Sequence, residues 1–233
     1  MYKIELVAPG NWWSKHPGVQ IIGRFELKKG QRITAALGQQ GDNFWCGSGG
    51  SFLVLESDDG QKPLLIAGGA GCAEGYDQEF GRGNILQAAV GNENVGSSGK
   101  QQFHYGDMEN VYCAGAGYNK APRVSILAKE CVAPKSFKDG LNGGKGVDGT
   151  GDAVEGGFGG GGGRYFREVN GISKWYYGAG GGFTGGSTKV EYIDFEDIDD
   201  MCSGGGGGSF SADQEAEFDH HYVEYGYCKI KKL

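Results

Sequence analysis

Six carboxylates fall within ten residues in the stretch EYIDFEDIDDM: Glu191, Asp194, Glu196, Asp197, Asp199 and Asp200. Carboxylates gathered this closely either stay solvated as an acidic loop, hold a hard cation through oxygen, or draw in a basic protein. The D-x-[DN]-x-[DN]-G spacing of a calcium loop is absent, which counts against the metal and leaves a solvated loop or a steering patch.

The six cysteines, Cys46, Cys72, Cys113, Cys131, Cys202 and Cys228, are even in number and never spaced C-x-x-C. That argues against a zinc site or a thioredoxin-like centre and for disulfides in an oxidising compartment, with small buried thiols as the alternative. Six cysteines allow about fifteen pairings, so spacing alone fixes none. Histidine is scarce: His16, His104 and the adjacent His220-His221, whose rings point to opposite faces if the segment is a strand. No G-x-S-x-G, H-E-x-x-H or family Cys-plus-His signature occurs. LLIAGGAGCAEG fails as a dinucleotide loop because Glu74 stands where a third glycine is needed. DGLNGGKGVDG fails as a phosphate loop because Asp139 and Gly146 replace the required glycine and hydroxyl. No catalytic residue, cofactor site or metal site is expected.

The elements that would position any site are dominated by glycine, which supplies 48 of 233 residues against only 5 prolines, where glycine's usual share is about 7 %. Disorder is the simplest meaning of so much glycine, yet 12 Phe, 12 Tyr and 4 Trp lie among the glycines, and disordered chains are poor in aromatics. A formal charge of −7 disfavours nucleic acid and anionic membrane as partners and suits a basic one. No apolar run is long enough to cross a bilayer, MYKIELVAPG lacks a signal-peptide layout, and no Asn-x-Ser/Thr acceptor occurs. A secreted origin would make this chain an excised piece.

Residues 1–67 read as β structure, with hairpins expected through Lys28-Lys29-Gly30-Gln31 and through Asp58-Asp59-Gly60. Residues 68–233 alternate glycine blocks with strand candidates at Asn84 to Val90, Val111 to Ala116, Ile172 to Tyr177, Val190 to Phe195 and Tyr222 to Ile230, and with one short helix candidate at Arg123 to Cys131. The blocks differ in length and flanks, so they are not a strict repeat. Phe158, Phe183 and Phe210 stand at or beside their ends, where a flexible linker would place serine. We therefore expect glycine segments packed side by side where any Cβ would collide, exchanging backbone hydrogen bonds, with the aromatics buried. The scaffold glycines are Gly156, Gly157, Gly159, Gly160, Gly161, Gly162 and Gly163, then Gly180, Gly181 and Gly182, and finally Gly204, Gly205 and Gly206.

Five motifs in order, GRFELKKGQRITAALGQQG, PLLIAGGAG, EGGFGGGGG, YGAGGGFTGGS and CSGGGGGSF, together with the closing YGYCKIKKL, resemble the extracellular glycine-rich domain of the anaplastic lymphoma kinase and leukocyte tyrosine kinase receptors. The resemblance covers the chain from about Gly18 onward. It implies one mainly β domain spanning 1–233, with β-sandwich-like strands, little α-helix and a bundle of polyglycine-II helices. It also implies a cell-surface module that binds a small basic cytokine-like protein and dimerises with it. The candidate ligand-binding residues are then Asp194, Glu196, Asp197, Asp199, Asp200 and Glu224 for charge, with Trp175 and Tyr176 as anchors. Trp12, Trp13 and Tyr177 are further aromatic anchors, though each also suits a core. The alternative is a free-standing adhesin or structural protein of the microbial or phage-fibre type, which such domains also resemble.

Overall fold

A computed structural model describes residues 1–42, 45–58, 60–73, 80–88, 101–102, 113–122, 131–147, 149–169, 172–191 and 200–233. The strands are β1 (Tyr2–Val7), β2 (Gly18–Phe25), β3 (Arg32–Ala36), β4 (Ser51–Ser57), β5 (Gly60–Ala67), β6 (Gln101–Gln102), β7 (Lys145–Val147), β8 (Ala153–Glu155), β9 (Tyr165–Val169), β10 (Ile172–Tyr176), β11 (Thr188–Glu191), β12 (Asp200–Gly204), β13 (Phe210–Ser211), β14 (Glu217–His221) and β15 (Tyr227–Lys232). A single 3-10 turn, Phe137–Asp139, is the one helical element among the described residues. The helix candidate from Arg123 lies outside the described residues, as do parts of the strand candidates near Val90 and Val111.

The mainly β expectation holds. The strands form three sheets, ordered β14-β2-β1-β15, β13-β5-β4-β3 and β6-β11-β12-β10-β9-β7-β8. The first two pack as a sandwich: Ile4, Leu6, Val19, Ile21 and Phe25 of the first meet Leu53, Leu64, Leu65 and Ala67 of the second in one core. The second sheet is covered on its other face as well. There Phe52, Val54 and Ile66 pack with Tyr118, Leu141 and the half-buried Phe137, Phe158, Phe183 and Phe210. Burial on both faces explains the unbroken apolar run Phe52-Leu53-Val54-Leu55, since a strand with one wet face would alternate.

The two expected hairpins fare differently. β4 and β5 pair antiparallel around Gly60, whose φ of 107° suits glycine. Pro63 lies inside β5, where the register shifts between Leu53 and Val54, a bulge that needs no amide from proline. The Lys28 to Gln31 turn also forms, with Gln31 N–H donating to the Lys28 carbonyl at 3.2 Å. The strands it joins do not pair, however: β2 belongs to the first sheet and β3 to the second. Local turn chemistry is the same for a hairpin and for a sandwich corner, and it is the packing of Phe25 and Ile33 into the shared core that separates them.

The glycine segments form the bundle that the steric argument requires. Gly178, Ala179, Gly180, Gly181, Gly182 and Phe183 donate in turn to the carbonyls of Trp45, Cys113, Gly205, Ser48, Ala116 and Gly208. Residues three apart thus reach the same neighbour, as three residues per turn demand. In the other direction, the Gly178 and Gly181 carbonyls accept from Cys72 and Gly69, that of Ala179 from Gly162, and that of Gly180 from Gly186. One extended segment is therefore bonded to six others. The segment from Gly204 repeats the rule: Gly204 and Gly207 donate to Cys72 and Gly69, while Gly205 and Gly208 donate to Ser187 and Thr184.

A Cβ is excluded at close to every glycine inside the bundle. At Gly180 it would sit 2.9 Å from the Gly207 nitrogen, and at Gly182 3.1 Å from the Gly68 Cα, in addition to closer carbonyl oxygens. The longest glycine block, 156–163, is bent rather than straight. Gly159 and Gly160 take φ of 105° and 84°, and Gly161 N–H returns to the Gly157 carbonyl at 3.0 Å. The bend occurs where Gly159 N–H turns aside to the Leu141 carbonyl at 2.8 Å.

Candidate functional site

The bundle has two unlike ends. At the first, Phe183, Phe210 and Tyr118 stand at the ends of glycine segments and close against the second sheet. Phe183 and Phe210 stack with centroids 4.8 Å apart, and Tyr118 lies 6.2 Å from Phe183. At the second end stand Trp45, Cys46, Cys72, Cys113, Arg164, Tyr176 and Tyr177, the residues that flank the same segments on the opposite side. The Arg164 guanidinium lies 3.7 Å from the Trp45 ring centre and 4.1 Å from that of Trp175, while Trp175 meets Phe166 at 4.2 Å. Arg164 is buried, so this cation–π stack holds the bundle together from within.

That placement corrects two expected anchors. Tyr176 is only 7 % exposed and packs with Tyr165 in a small core, and Tyr177 is buried against Trp45. Neither is presented to a ligand, because a residue ending a glycine segment inherits that segment's burial. Trp175 is half-buried in the arginine stack. Asp194, Glu196, Asp197 and Asp199 lie outside the described residues. The backbone of Asp200 pairs with Lys174 between β12 and β10.

The expected disulfides are not found either. Among the described residues no disulfide is present, and Cys202 is described only through its backbone pairing with Tyr176 and Val190. The cross-links between glycine segments are instead the backbone hydrogen bonds themselves. Cys228, opposite Leu6 on β1, acts as a half-buried apolar side chain. Burial, aided by the Glu5 charge, pushes its thiol up to about 11. Among the described residues no group of three His, Cys, Asp or Glu could hold a metal.

The exposed aromatics gather elsewhere, at the end of the first sheet where β1 runs into β2 and β14 into β15. Trp12 and Trp13 are 37 % and 50 % exposed, their rings T-shaped at 6.2 Å. The loop beneath them is tightly held. Asn11 is buried, and its side-chain amide donates to the Cys46 carbonyl at 3.1 Å, while its oxygen accepts from Trp13 N–H, Ser14 N–H and the Ser14 hydroxyl at 3.1, 3.0 and 3.0 Å. Gly10 donates to the Val223 carbonyl at 2.9 Å, and its own carbonyl accepts from Gln40 and Ser48 at 2.7 and 2.9 Å. Lys15 lies 5.4 Å over the Tyr222 ring. The neighbouring loop carries the exposed Tyr222, Glu224 and Tyr225, and Gln39 bridges to Tyr225.

This is a preorganised surface with two indoles, two phenols and one carboxylate turned outward. Such a surface binds without first losing loop entropy. Glu224, Trp12 and Trp13 are all exposed here. Tyr222 and Tyr225 were hidden in a segment that reads as strand, and they are exposed because the chain loops there before β15 begins. The asparagine preceding two tryptophans was the legible signal, since Asx turns fix such tips.

No family model and no curated protein sequence matches the chain.

Proposed function

We propose that this chain is an extracellular recognition module, the glycine-rich ligand-binding domain of a receptor resembling anaplastic lymphoma kinase and leukocyte tyrosine kinase, and that it takes a basic protein ligand that dimerises it. The observation carrying the reading is the period-three hydrogen bonding of 178–183 to four neighbouring segments. A rigid bundle of that kind has little use for a mobile substrate cycle and suits a platform for loops. The formal charge of −7 would speed encounter with a basic partner, while Trp12, Trp13, Tyr222 and Tyr225 would supply the buried anchors of the complex. The reading gives the chain no chemistry of its own.

A second reading, a surface adhesin that recognises glycan, is favoured by one feature: four exposed aromatics stand beside a single carboxylate, Glu224, on these loops. Surface plasmon resonance of the immobilised chain separates the two, using a basic cytokine-like ligand of the receptor family and, in parallel, a panel of neutral oligosaccharides. Under the receptor reading the basic protein binds, the association slows as salt rises, and Trp13→Ala costs at least about 2 kcal/mol as an interface anchor. Binding of oligosaccharide alone, with Trp13→Ala abolishing it, would replace the receptor by the adhesin.

A further inference from the structure

The sheet β14-β2-β1-β15 has two edges that no described strand covers. Hydrogen bonds from Gln20 and Tyr227 to Glu5 show which side chains share its outer face. By alternation from these, Glu217 and Asp219 stand outward on β14, and Lys229 and Lys231 stand outward on β15. On the inner side Phe218 is half-buried, whereas Ile230 is 51 % exposed although it lies opposite the fully buried Ile4. The other charges on the outer face are Lys3, Glu5 and Arg24. Glu217 lies 3.9 Å from Arg24 and Lys229 lies 3.7 Å from Glu5, all at exposed or half-buried positions.

Charged edges ordinarily keep sheets from joining. Here each edge carries one sign: β14 repels another β14 and β15 repels another β15, but the unlike edges attract. Each neighbouring pair in the sheet is antiparallel, so β14 runs opposite to β15. A second copy placed beside the first by simple translation therefore continues an antiparallel ladder. In one register all of β14 finds a suitable partner: Glu217 faces Lys231, Phe218 faces Ile230, Asp219 faces Lys229, and His220 and His221 face Cys228 and Tyr227. A slip of one residue puts charged and apolar side chains on opposite faces, and a slip of two loses an ion pair.

We infer that the chain associates with a second copy of itself head to tail, β14 of one beside β15 of the next. The contact is heterologous, so it builds rings or filaments rather than a closed pair. It is independent of the ligand reading above and of the aromatic loops. Five residues of edge fall below the area of about 1,000 Å² that a stable interface needs, so the association belongs to crowded surfaces and high concentration.

Sedimentation velocity of the full chain, from about 10 μM to 1 mM, covers the range expected of so small an interface. Wild type should gain mass with concentration and lose it when salt is raised to about 0.5 M, where exposed charges are screened. The variant Glu217→Lys/Asp219→Lys and the variant Lys229→Glu/Lys231→Glu should each stay monomeric, because both of their edges carry one sign. Mixed in equal amounts, they should regain the association. Circular dichroism of each variant confirms folding, and the single Ile230→Lys provides a second disruption should a double variant unfold. Wild type that stays monomeric throughout, reversals or Ile230→Lys that leave its association unchanged, or a mixture of folded variants that remains monomeric would each overturn the inference.

Discussion

Replacing Gly181 by alanine adds one methyl group at the centre of the bundle. That Cβ would lie 2.7 Å from the Gly160 carbonyl carbon and closer still to the Gly159 oxygen, both of them backbone. No side chain can rotate away, so a whole segment has to move. Movement stretches two bonds in opposite directions, Gly181 N–H to the Ser48 carbonyl and Gly69 N–H to the Gly181 carbonyl, each 2.9 Å. Overpacking costs about 1 to 3 kcal/mol, and each buried group left unpaired costs about 1 to 3 kcal/mol more. The stiffer unfolded chain returns only about 0.4 to 1 kcal/mol. A net loss of about 4 kcal/mol is expected, or roughly 8 to 16 °C in Tm for a chain of this size.

The control is Gly151→Ala. Gly151 has open space around its Cβ position and a φ of 86°, so left-handed strain of about 1 to 2 kcal/mol is its whole cost. Gly160 is a poorer probe of the bundle, since its φ of 84° strains any substitution there whatever the packing. Urea unfolding of the three proteins measures the differences directly. If Gly181→Ala loses no more than Gly151→Ala, the glycine segments are not mutually bonded, and the steric account of this composition is wrong.

Two further outcomes are expected. The Glu5 carboxylate accepts from the Tyr227 hydroxyl at 2.6 Å and from Gln20 at 2.9 Å, with Lys229 nearby, and these contacts, led by Tyr227, hold its pKa below the ordinary 4.5 against the effect of burial. A lowered folded-state pKa adds stability that is complete above the ordinary value and lost as pH falls through the folded one, so Glu5→Gln should flatten the fall of urea midpoint below pH 4.5; an unchanged acid slope would show that the contacts do not discriminate charge. The Cys228 thiol, raised from 9.0 to about 11, should react with iodoacetamide at mildly alkaline pH roughly a hundredfold more slowly in the folded protein than in urea, because two pKa units cut the thiolate a hundredfold; native labelling within a few-fold of the unfolded rate would contradict its burial.

The presence of a glycine bundle was legible because steric exclusion is local: five glycines before Ser209 and Phe210, or three before Phe183, admit few structures once aromatics must be buried. The fate of Phe158, Phe183 and Phe210 followed from the same reasoning, and all three pack on the second sheet. The β4/β5 hairpin was legible for a similar reason, since Gly60 and two apolar runs leave a local solution. The candidate site was legible only in part. Trp12, Trp13 and Tyr177 each suited an anchor or a core in the sequence; Trp12 and Trp13 stand exposed while Tyr176 and Tyr177 do not, since no residue type announces whether the segment it ends lies inside or outside a lattice.

By itself, then, the sequence determined the kinds of element and the residues barred from side chains, because these depend on each residue's own volume and torsions. Only the tertiary structure decided which segments became neighbours. Five chain segments far apart in sequence, and the local return at Gly186, surround Gly178 to Phe183, and a backbone hydrogen bond carries no mark of its partner's identity. The same indifference let β2 and β3 part into separate sheets across a turn that reads as a hairpin, and it left the long-range packing of Phe25 and Ile33 to choose between the two.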